Sequence, residues 1–157
     1  MDAQTRVVSL YLNYVKHWLI GADVSVGQGQ DIALLAFDSA NNRRHHVEVE
    51  IGRTPIDEKD PAALGEWLKA RFSSPDRDQA LIQLGFAPRA NARVLVSRHA
   101  STTFRQVCAA QNVELWLFAD LVAELRLAFR NRLPPNDVEG RVFQLLFYPP
   151  KNAFVAG

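Results

Sequence analysis

Cysteine is nearly absent from this sequence, with Cys108 as its one example. A single thiol excludes both an intramolecular disulfide and a cysteine-rich zinc site. This usage is typical of a reducing compartment, and we expect the cytoplasm. No apolar run approaches the roughly 20 residues needed to cross a bilayer, and no signal peptide is recognised at the N-terminus. We therefore expect no membrane association.

An excess of charge of either sign is also lacking. The 18 lysines and arginines nearly balance the 17 aspartates and glutamates, which leaves a net charge of +1. No global basic field therefore attracts nucleic acid, and any contact with a polyanion has to come from a local group of residues. The hydrophobic fraction of 48% over 157 residues suffices for a sizeable core. We expect a single domain over residues 1–157, with a C-terminal tail over 133–157.

Hydrophobic periodicity predicts an alternation of helices and strands. The predicted helices are 5–19, 62–72, 76–84, 102–112 and 119–131, and the predicted strands are 22–26, 31–37, 46–51, 92–97 and 113–118. With 62–84 taken as one interrupted helical unit, the order is αβββαβαβα, which favours an α/β fold, a mixed sheet with helices on both faces. The early strands should pair antiparallel, and those that follow helical crossovers should be parallel.

A late apolar segment near the C-terminus predicts one more edge strand over 140–148. The apolar residues of this segment either pair with the edge of a second copy, as a homodimer contact, or dock on the protein's own core. They are Val142, Phe143, Leu145, Leu146, Phe147 and Tyr148.

The stretch 29–52 places acids where strands do not need them. The second strand is apolar on both faces, which predicts a central position in the sheet, and Asp31 stands at its entry. In the third strand Glu48 and Glu50 share one face. Acids are almost never fully buried unless they are paired or bound to a metal. If the hairpin register sets Asp31 opposite either glutamate, three carboxylates converge on one place.

Converging carboxylates need a counter-charge. Two like charges about 4 Å apart, at an effective dielectric constant near 20, repel by roughly 4 kcal/mol. Such a cluster requires raised pKa values, a nearby cation or a bound metal. Ligands that are all oxygen select hard divalent ions, here Mg²⁺ or Mn²⁺.

Simpler explanations of the same residues stay open. Glu48 and Glu50 also fit the solvent face of an edge strand, paired with arginines of the neighbouring loops, namely Arg43, Arg44 or Arg53. His45 and His46 are expected to be solvated beside the polar loop, although a His-x-Glu-x-Glu face also suits a transition metal. Four further arginines fit either a basic rim for nucleic acid or ion pairs with local acids. They are Arg71, Arg77, Arg89 and Arg93.

An acid at the start of the second strand, followed by an acid-x-base position on the third, resembles the PD-(D/E)XK nuclease superfamily. The resemblance covers about residues 5–97 and implies a restriction-endonuclease-like fold with an αβββαβ core. It matches Asp31 to the metal-binding aspartate and Glu48 to the first acid of the pair. Glu50 stands where the family usually has lysine. Some members of the family also have glutamate at this position.

The resemblance also implies an activity, the metal-dependent hydrolysis of phosphodiester bonds in nucleic acid, with DNA favoured over RNA. Asp31, Glu48 and Glu50 would hold Mg²⁺ or Mn²⁺, with the backbone carbonyl of Val49 completing the shell. We expect Lys69, on the helix after the motif, to supply the missing cation.

A second function is compatible with the same resemblance. A module that keeps the fold without catalysis would bind nucleic acid or a protein partner. The absent lysine of the third strand and the acid-free first helix favour this alternative.

Overall fold

Five strands form one mixed sheet in a computed structural model of the chain, which describes residues 2–24, 32–52, 60–86 and 91–130. The strands are β1 (Leu19–Val24), β2 (Ile32–Asp38), β3 (Arg43–Glu50), β4 (Ala92–Ser97) and β5 (Val113–Leu117). They lie side by side in chain order. β1, β2 and β3 pair antiparallel, whereas β4 and β5 join in parallel, as the crossover argument predicts.

Five helices of the described part of the chain cover the sheet. They are α1 (Ala3–Tyr14), α2 (Pro61–Phe72), α3 (Pro75–Gln83), α4 (Thr102–Ala110) and α5 (Phe118–Arg130). Side-chain caps explain where four of them begin, because an aspartate or serine oxygen accepts a first-turn backbone N–H in each. These caps are Asp2, Asp60, Ser74 and Ser101. The prediction of an α/β fold with a mixed sheet is confirmed. Among the described residues no helix combines the length and apolar character needed to cross a membrane.

Alternating strand residues build cores on both faces of the sheet. Val94 and Val96 of β4 pack with α1 and α5, whereas the intervening Leu95 packs with α2 and α4. In β2, Leu34 belongs to the first of these clusters, and Leu35 contacts Leu81 of α3 in another. The predicted central position of β2 is therefore confirmed, since β1 and β3 flank it and helices cover it from both sides.

The N-terminal boundary differs from the prediction. α1 ends at Tyr14 instead of continuing to residue 19, and the strand starts already at Leu19. His17, with φ of 58°, turns the chain between them, and Trp18 leaves the helical path to stack on His45. The tertiary contact of Trp18 overrides its helical spacing, and Gly21 lies inside β1 rather than at a helix end.

The β2–β3 connection is shorter than predicted. Arg43 and Arg44 belong to β3, and the turn occupies 39–42 with Asn42 at φ of 51°. Asp38 holds this turn because its carboxylate accepts the backbone N–H of Ala40 at 3.0 Å. The side-chain hydrogen bond from Asn41 is the main reason why the pKa of Asp38 is lowered. Asp31, the loop 53–59 and the tail with its predicted strand 140–148 lie outside the described residues.

Candidate functional site

The central position of β3 decides how its acids are interpreted. β3 lies between β2 and β4, and its register pairs Glu48 with Leu95 and Glu50 with Ser97. Glu48 is 1% exposed, and the Glu50 side chain is 19% exposed. The explanation of these glutamates as the solvent face of an edge strand is therefore wrong. Their counter-charges are not Arg43 or Arg44, which lie exposed at the opposite end of the strand.

One oxygen of Glu48 is held from two sides. His46 Nε2 donates to Glu48 Oε1 at 2.7 Å, and Arg77 Nη1 donates to the same oxygen at 2.5 Å. Because a carboxylate only accepts, the contact with His46 requires the proton on Nε2. Charge-assisted hydrogen bonds of this kind are about twice as strong as neutral ones. The Glu48 carboxylate thus has a fixed orientation.

The second oxygen of Glu48 faces a different arginine. Arg71 Nη1 lies 3.4 Å from Glu48 Oε2, and Arg71 Nη2 donates to Glu50 Oε2. The Arg71 guanidinium therefore bridges the two glutamates. Arg77 Nη1 also donates to the backbone carbonyl of Arg71 at 2.7 Å, which ties α3 to the end of α2.

A cavity of about 490 Å³ opens beside this pair of acids, at the carboxyl end of β3. Ligands of α/β sheets bind outside the carboxyl ends of the strands. The lining combines the end of β3, the start of β2, the start of α1 and Arg71. The residues are Asp2, Gln4, Thr5, Ile32, Ala33, Glu48, Val49, Glu50, Ile51, Gly52 and Arg71.

The start of α1 brings to the cavity one acid that the sequence pattern does not indicate as a site residue. The helix itself contains no acid, as expected, but Asp2 lies directly before it on the cavity wall. Its carboxylate is engaged as the N-cap, because Oδ1 accepts the Thr5 N–H at 2.7 Å. The place of Asp2 at the cavity depends on how α1 packs against the sheet.

The predicted site residues have different outcomes. Glu48, Val49 and Glu50 line the same cavity, whereas Asp31 lies outside the described residues and only its neighbour Ile32 is on the wall. Lys69 is exposed on α2, and no described ion pair joins it to either glutamate. It lies about 200° around the helix from Arg71, which does reach both acids.

Arg77 was predicted as part of a surface rim or as a partner of a local acid. The side chain is 4% exposed, so the rim is wrong for Arg77, and its partner acid, Glu48, lies 29 residues away on β3 rather than close by in the chain. A sequence signal for its burial exists, because Arg77 precedes the buried Leu81 by one helical turn and so shares its face.

The two histidines are buried rather than solvated, contrary to expectation. As neighbours in a strand they face opposite sides of the sheet. His46 meets Phe72 edge-on at 4.9 Å between ring centroids, and His45 stacks on Trp18 at 3.8 Å. Among the described residues, neither ring nitrogen of His45 has a hydrogen-bond partner. Burial, followed by the charge of Arg43, lowers the pKa of His45.

The donor atoms at the cavity match a hard divalent ion in kind. Glu48 Oε2 and the Glu50 carboxylate are oxygen ligands of the type that Mg²⁺ and Mn²⁺ prefer. Within the described ranges no three histidine, cysteine or acidic side chains are grouped to hold a metal. The third carboxylate that we expect, Asp31, is not in those ranges. The place between the two glutamates is taken by the Arg71 guanidinium.

Comparisons with known proteins give no match: no family model, no curated protein and no solved structure corresponds to this chain.

Proposed function

We propose that this protein is a metal-dependent nuclease of the PD-(D/E)XK type, which hydrolyses phosphodiester bonds in nucleic acid. The observation that carries the proposal is the Glu48 carboxylate, 1% exposed on a central strand, at the wall of a 490 Å³ cavity. Burying a charge is costly, and hydrophobic residues of similar volume often serve stability equally well. A functional role for Glu48 Oε2, the oxygen that faces Glu50, explains why a charged residue is buried at this position.

The roles follow from the two oxygens of Glu48. His46 and Arg77 fix Oε1, which leaves Oε2 directed towards Glu50 and Arg71. Glu48 Oε2 and Glu50 would hold Mg²⁺ or Mn²⁺, together with Asp31 and the Val49 carbonyl. The ion, when bound, would activate water and stabilise the charge of the transition state. Before a metal binds, Arg71 supplies the positive charge beside the acids that the resemblance assigned to Lys69.

The test is cleavage of plasmid DNA and of RNA oligonucleotides with Mg²⁺ or Mn²⁺. Asp31→Asn, Glu48→Gln and Glu50→Gln should each lower the rate by about two orders of magnitude, because each removes one charged ligand. Glu66→Gln is the matched control, since Glu66 is an exposed acid on α2. DNA should be cleaved in preference to RNA.

Cleavage that persists in all three site variants would reject this site as the source of activity. Thermal unfolding of each variant in EDTA separates a lost ligand from a lost fold. Glu50→Gln is the most informative variant, because Glu50 is the more exposed of the two glutamates on β3.

A second candidate is a non-catalytic module with the same fold that binds nucleic acid. The observation that favours it is the arginine pairing of both glutamates, which already balances their charge. Binding measured across a salt series, without metal, tests it. The affinity should fall with a log–log slope of about −0.9 for each phosphate contacted in a duplex. Salt-dependent binding without cleavage under any metal would favour the module over the nuclease.

The setting that we propose for the nuclease is the cytoplasm, in keeping with the single thiol of Cys108. That thiol is buried in the core, and burial raises its pKa to about 11, so it is no candidate nucleophile. A homodimer through the apolar segment 142–148 stays a prediction, since this segment lies outside the described residues.

A further inference from the structure

Two arginines contact Glu48, and they are held in different ways. Arg77 is 4% exposed and donates both to Glu48 Oε1 and to the Arg71 carbonyl. The Arg71 side chain is 29% exposed, lines the cavity, and reaches Glu48 Oε2 only at 3.4 Å. Arg77 is therefore part of the packed interior, whereas Arg71 is open to the cavity from which a ligand would arrive.

The charges allow only one cation between the glutamates. Glu48 and Glu50 contribute two negative charges, and Arg71 and Arg77 contribute two positive ones. A divalent ion added beside both arginines would give these four side chains two positive charges in excess, and Asp2, the other described acid on the cavity wall, would offset only one of them. The oxygens that face Arg71 are also those that a metal would need.

We propose that Arg71 is a displaceable counter-ion. In the metal-free protein its guanidinium holds Glu48 Oε2 and Glu50 in place, and a divalent ion of the Mg²⁺ and Mn²⁺ class displaces it. The inference rests on the proposed function for the nature of the ligand. It explains how a chain without a strand lysine keeps two acids together before the metal arrives.

The released side chain has a place to go. Trp67 precedes Arg71 by one helical turn, and the guanidinium carbon lies 5.5 Å from the centre of the Trp67 ring. A cation over an aromatic face is stabilised by the ring quadrupole, and arginine favours this contact. This contact already exists, so Trp67 can hold the Arg71 side chain against its own helix once the acids release it.

The experiment is Mn²⁺ binding to the full chain without nucleic acid, followed by the paramagnetic resonance signal of free Mn²⁺. Arg71→Met should bind Mn²⁺ roughly tenfold more tightly than the wild type, which is within the usual range of coupling between two ligands. Lys69→Met is the matched control, because it removes a positive charge from the exposed side of the same helix. Lys69→Met should bind as the wild type does, and Glu50→Gln should bind more weakly.

Equal or weaker Mn²⁺ binding by Arg71→Met, relative to Lys69→Met, would overturn the inference. Arg71→Lys covers the case in which Arg71→Met fails to fold. Lysine keeps the charge but not the two-pronged contact, so its affinity should lie between those of wild type and Arg71→Met. If Arg71→Lys binds Mn²⁺ no more tightly than the wild type does, that result contradicts the displacement of Arg71.

The two proposals fail separately. Tighter Mn²⁺ binding by Arg71→Met without cleavage of any nucleic acid supports the displaceable counter-ion and rejects the nuclease. Cleavage that depends on Glu50, together with Mn²⁺ affinity indifferent to Arg71, supports the nuclease and rejects the displacement. Absence of Mn²⁺ binding in every variant rejects both.

Discussion

Glu48 is a carboxylate in the interior whose presence depends on its neighbours. His46, Arg77 and Arg71 together supply its contacts. Desolvating an ion costs several kcal/mol, and only close, well-formed contacts offset that cost. The pairing with Arg77 is therefore expected to stabilise the fold. The pairing with Arg71 is expected to contribute less to stability and to act in ligand binding.

Arg77→Met should lower the free energy of unfolding by about 3–5 kcal/mol, because it leaves the Glu48 charge buried with less compensation. The double variant Glu48→Met with Arg77→Met should recover most of this loss. Urea denaturation of the two single variants, the double variant and the wild type measures the coupling. A cost for Arg77→Met below about 1 kcal/mol would contradict the interior role of this ion pair.

His45 gives the protein a pH dependence of stability above the range of its carboxylates. Its pKa in the folded state lies below the value of about 6.5 that an unfolded chain gives. The unfolded state then binds more protons, so the free energy of unfolding should fall as the pH drops from 7 through 6.5 and below. Asp38, whose pKa is also lowered, changes the free energy of unfolding only below about pH 4. It therefore does not contribute to the slope between pH 7 and 5.

The variant His45→Phe tests this slope. Phenylalanine keeps a ring against Trp18 and removes the titrating group. Between pH 7 and 5 the free energy of unfolding of His45→Phe should be flatter than that of the wild type. The charged groups whose fields also reach His45 are Arg43, Glu114 and Asp38, and they are retained in both proteins. Parallel curves for the two proteins would exclude His45 as the cause.

At the residue scale the sequence predicted the acids but not their partners. Glu48 and Glu50 share a cavity wall, as their spacing on one strand suggests, and Val49 between them lines it too. Arg71 lies 21 residues after its partner Glu50, and Arg77 lies 29 residues after Glu48. Whether Arg71 or Lys69 reaches the acids depends on how α2 is rotated against the sheet. A rotation of that kind follows from the packing of a whole helix, which local patterns do not encode.

Among the elements, α2 and α4 approach closely at Gly65. The Gln111 side chain donates to the Gly65 carbonyl at 2.8 Å, and a Cβ added at Gly65 would lie 3.3 Å from the same Gln111 nitrogen. Glycine inside a helix costs about 1 kcal/mol relative to alanine. The close contact with Gln111 explains why glycine is kept here.

Gly65→Ala should therefore act differently in two backgrounds. With Gln111 present, the amide has to shift, and the gain from helix propensity is largely offset. With Gln111→Ala, the Gly65→Ala change should raise the free energy of unfolding by about 0.5–1 kcal/mol. Chemical denaturation of the four proteins measures the difference. An equal effect of Gly65→Ala in both backgrounds would show that the Gln111 contact carries no energy.

Most elements were predictable because their patterns are local. The parallel strand Ala92–Ser97 was predicted with both of its ends, and Asp60 and Ser74 mark helix starts by their capping chemistry. The end of α1 was not predictable, since Tyr14, Val15 and Trp18 continue its helical spacing. Contacts with residues distant in the chain, the stack on His45 and the packing against Trp116, draw Trp18 away from the helical path.

At the scale of the whole molecule, the site lies where the two halves of the sheet meet. β3 pairs antiparallel with β2 and parallel with β4, so its carboxyl end adjoins the start of β2 and the N-terminus of α1. With a net charge of +1 the protein has no global attraction for nucleic acid. For the nuclease that we propose, the affinity for a polyanion would therefore come from this end of the sheet, through the bound metal.

The most direct test of the central claim is a crystal structure with Mn²⁺ at saturating concentration, in which anomalous scattering locates the ion. We predict a peak within ligand distance of Glu48 Oε2 and the Glu50 carboxylate, with the Arg71 guanidinium moved off both glutamates. Arg71 still bridging the two glutamates, with no anomalous peak between them, would contradict the account.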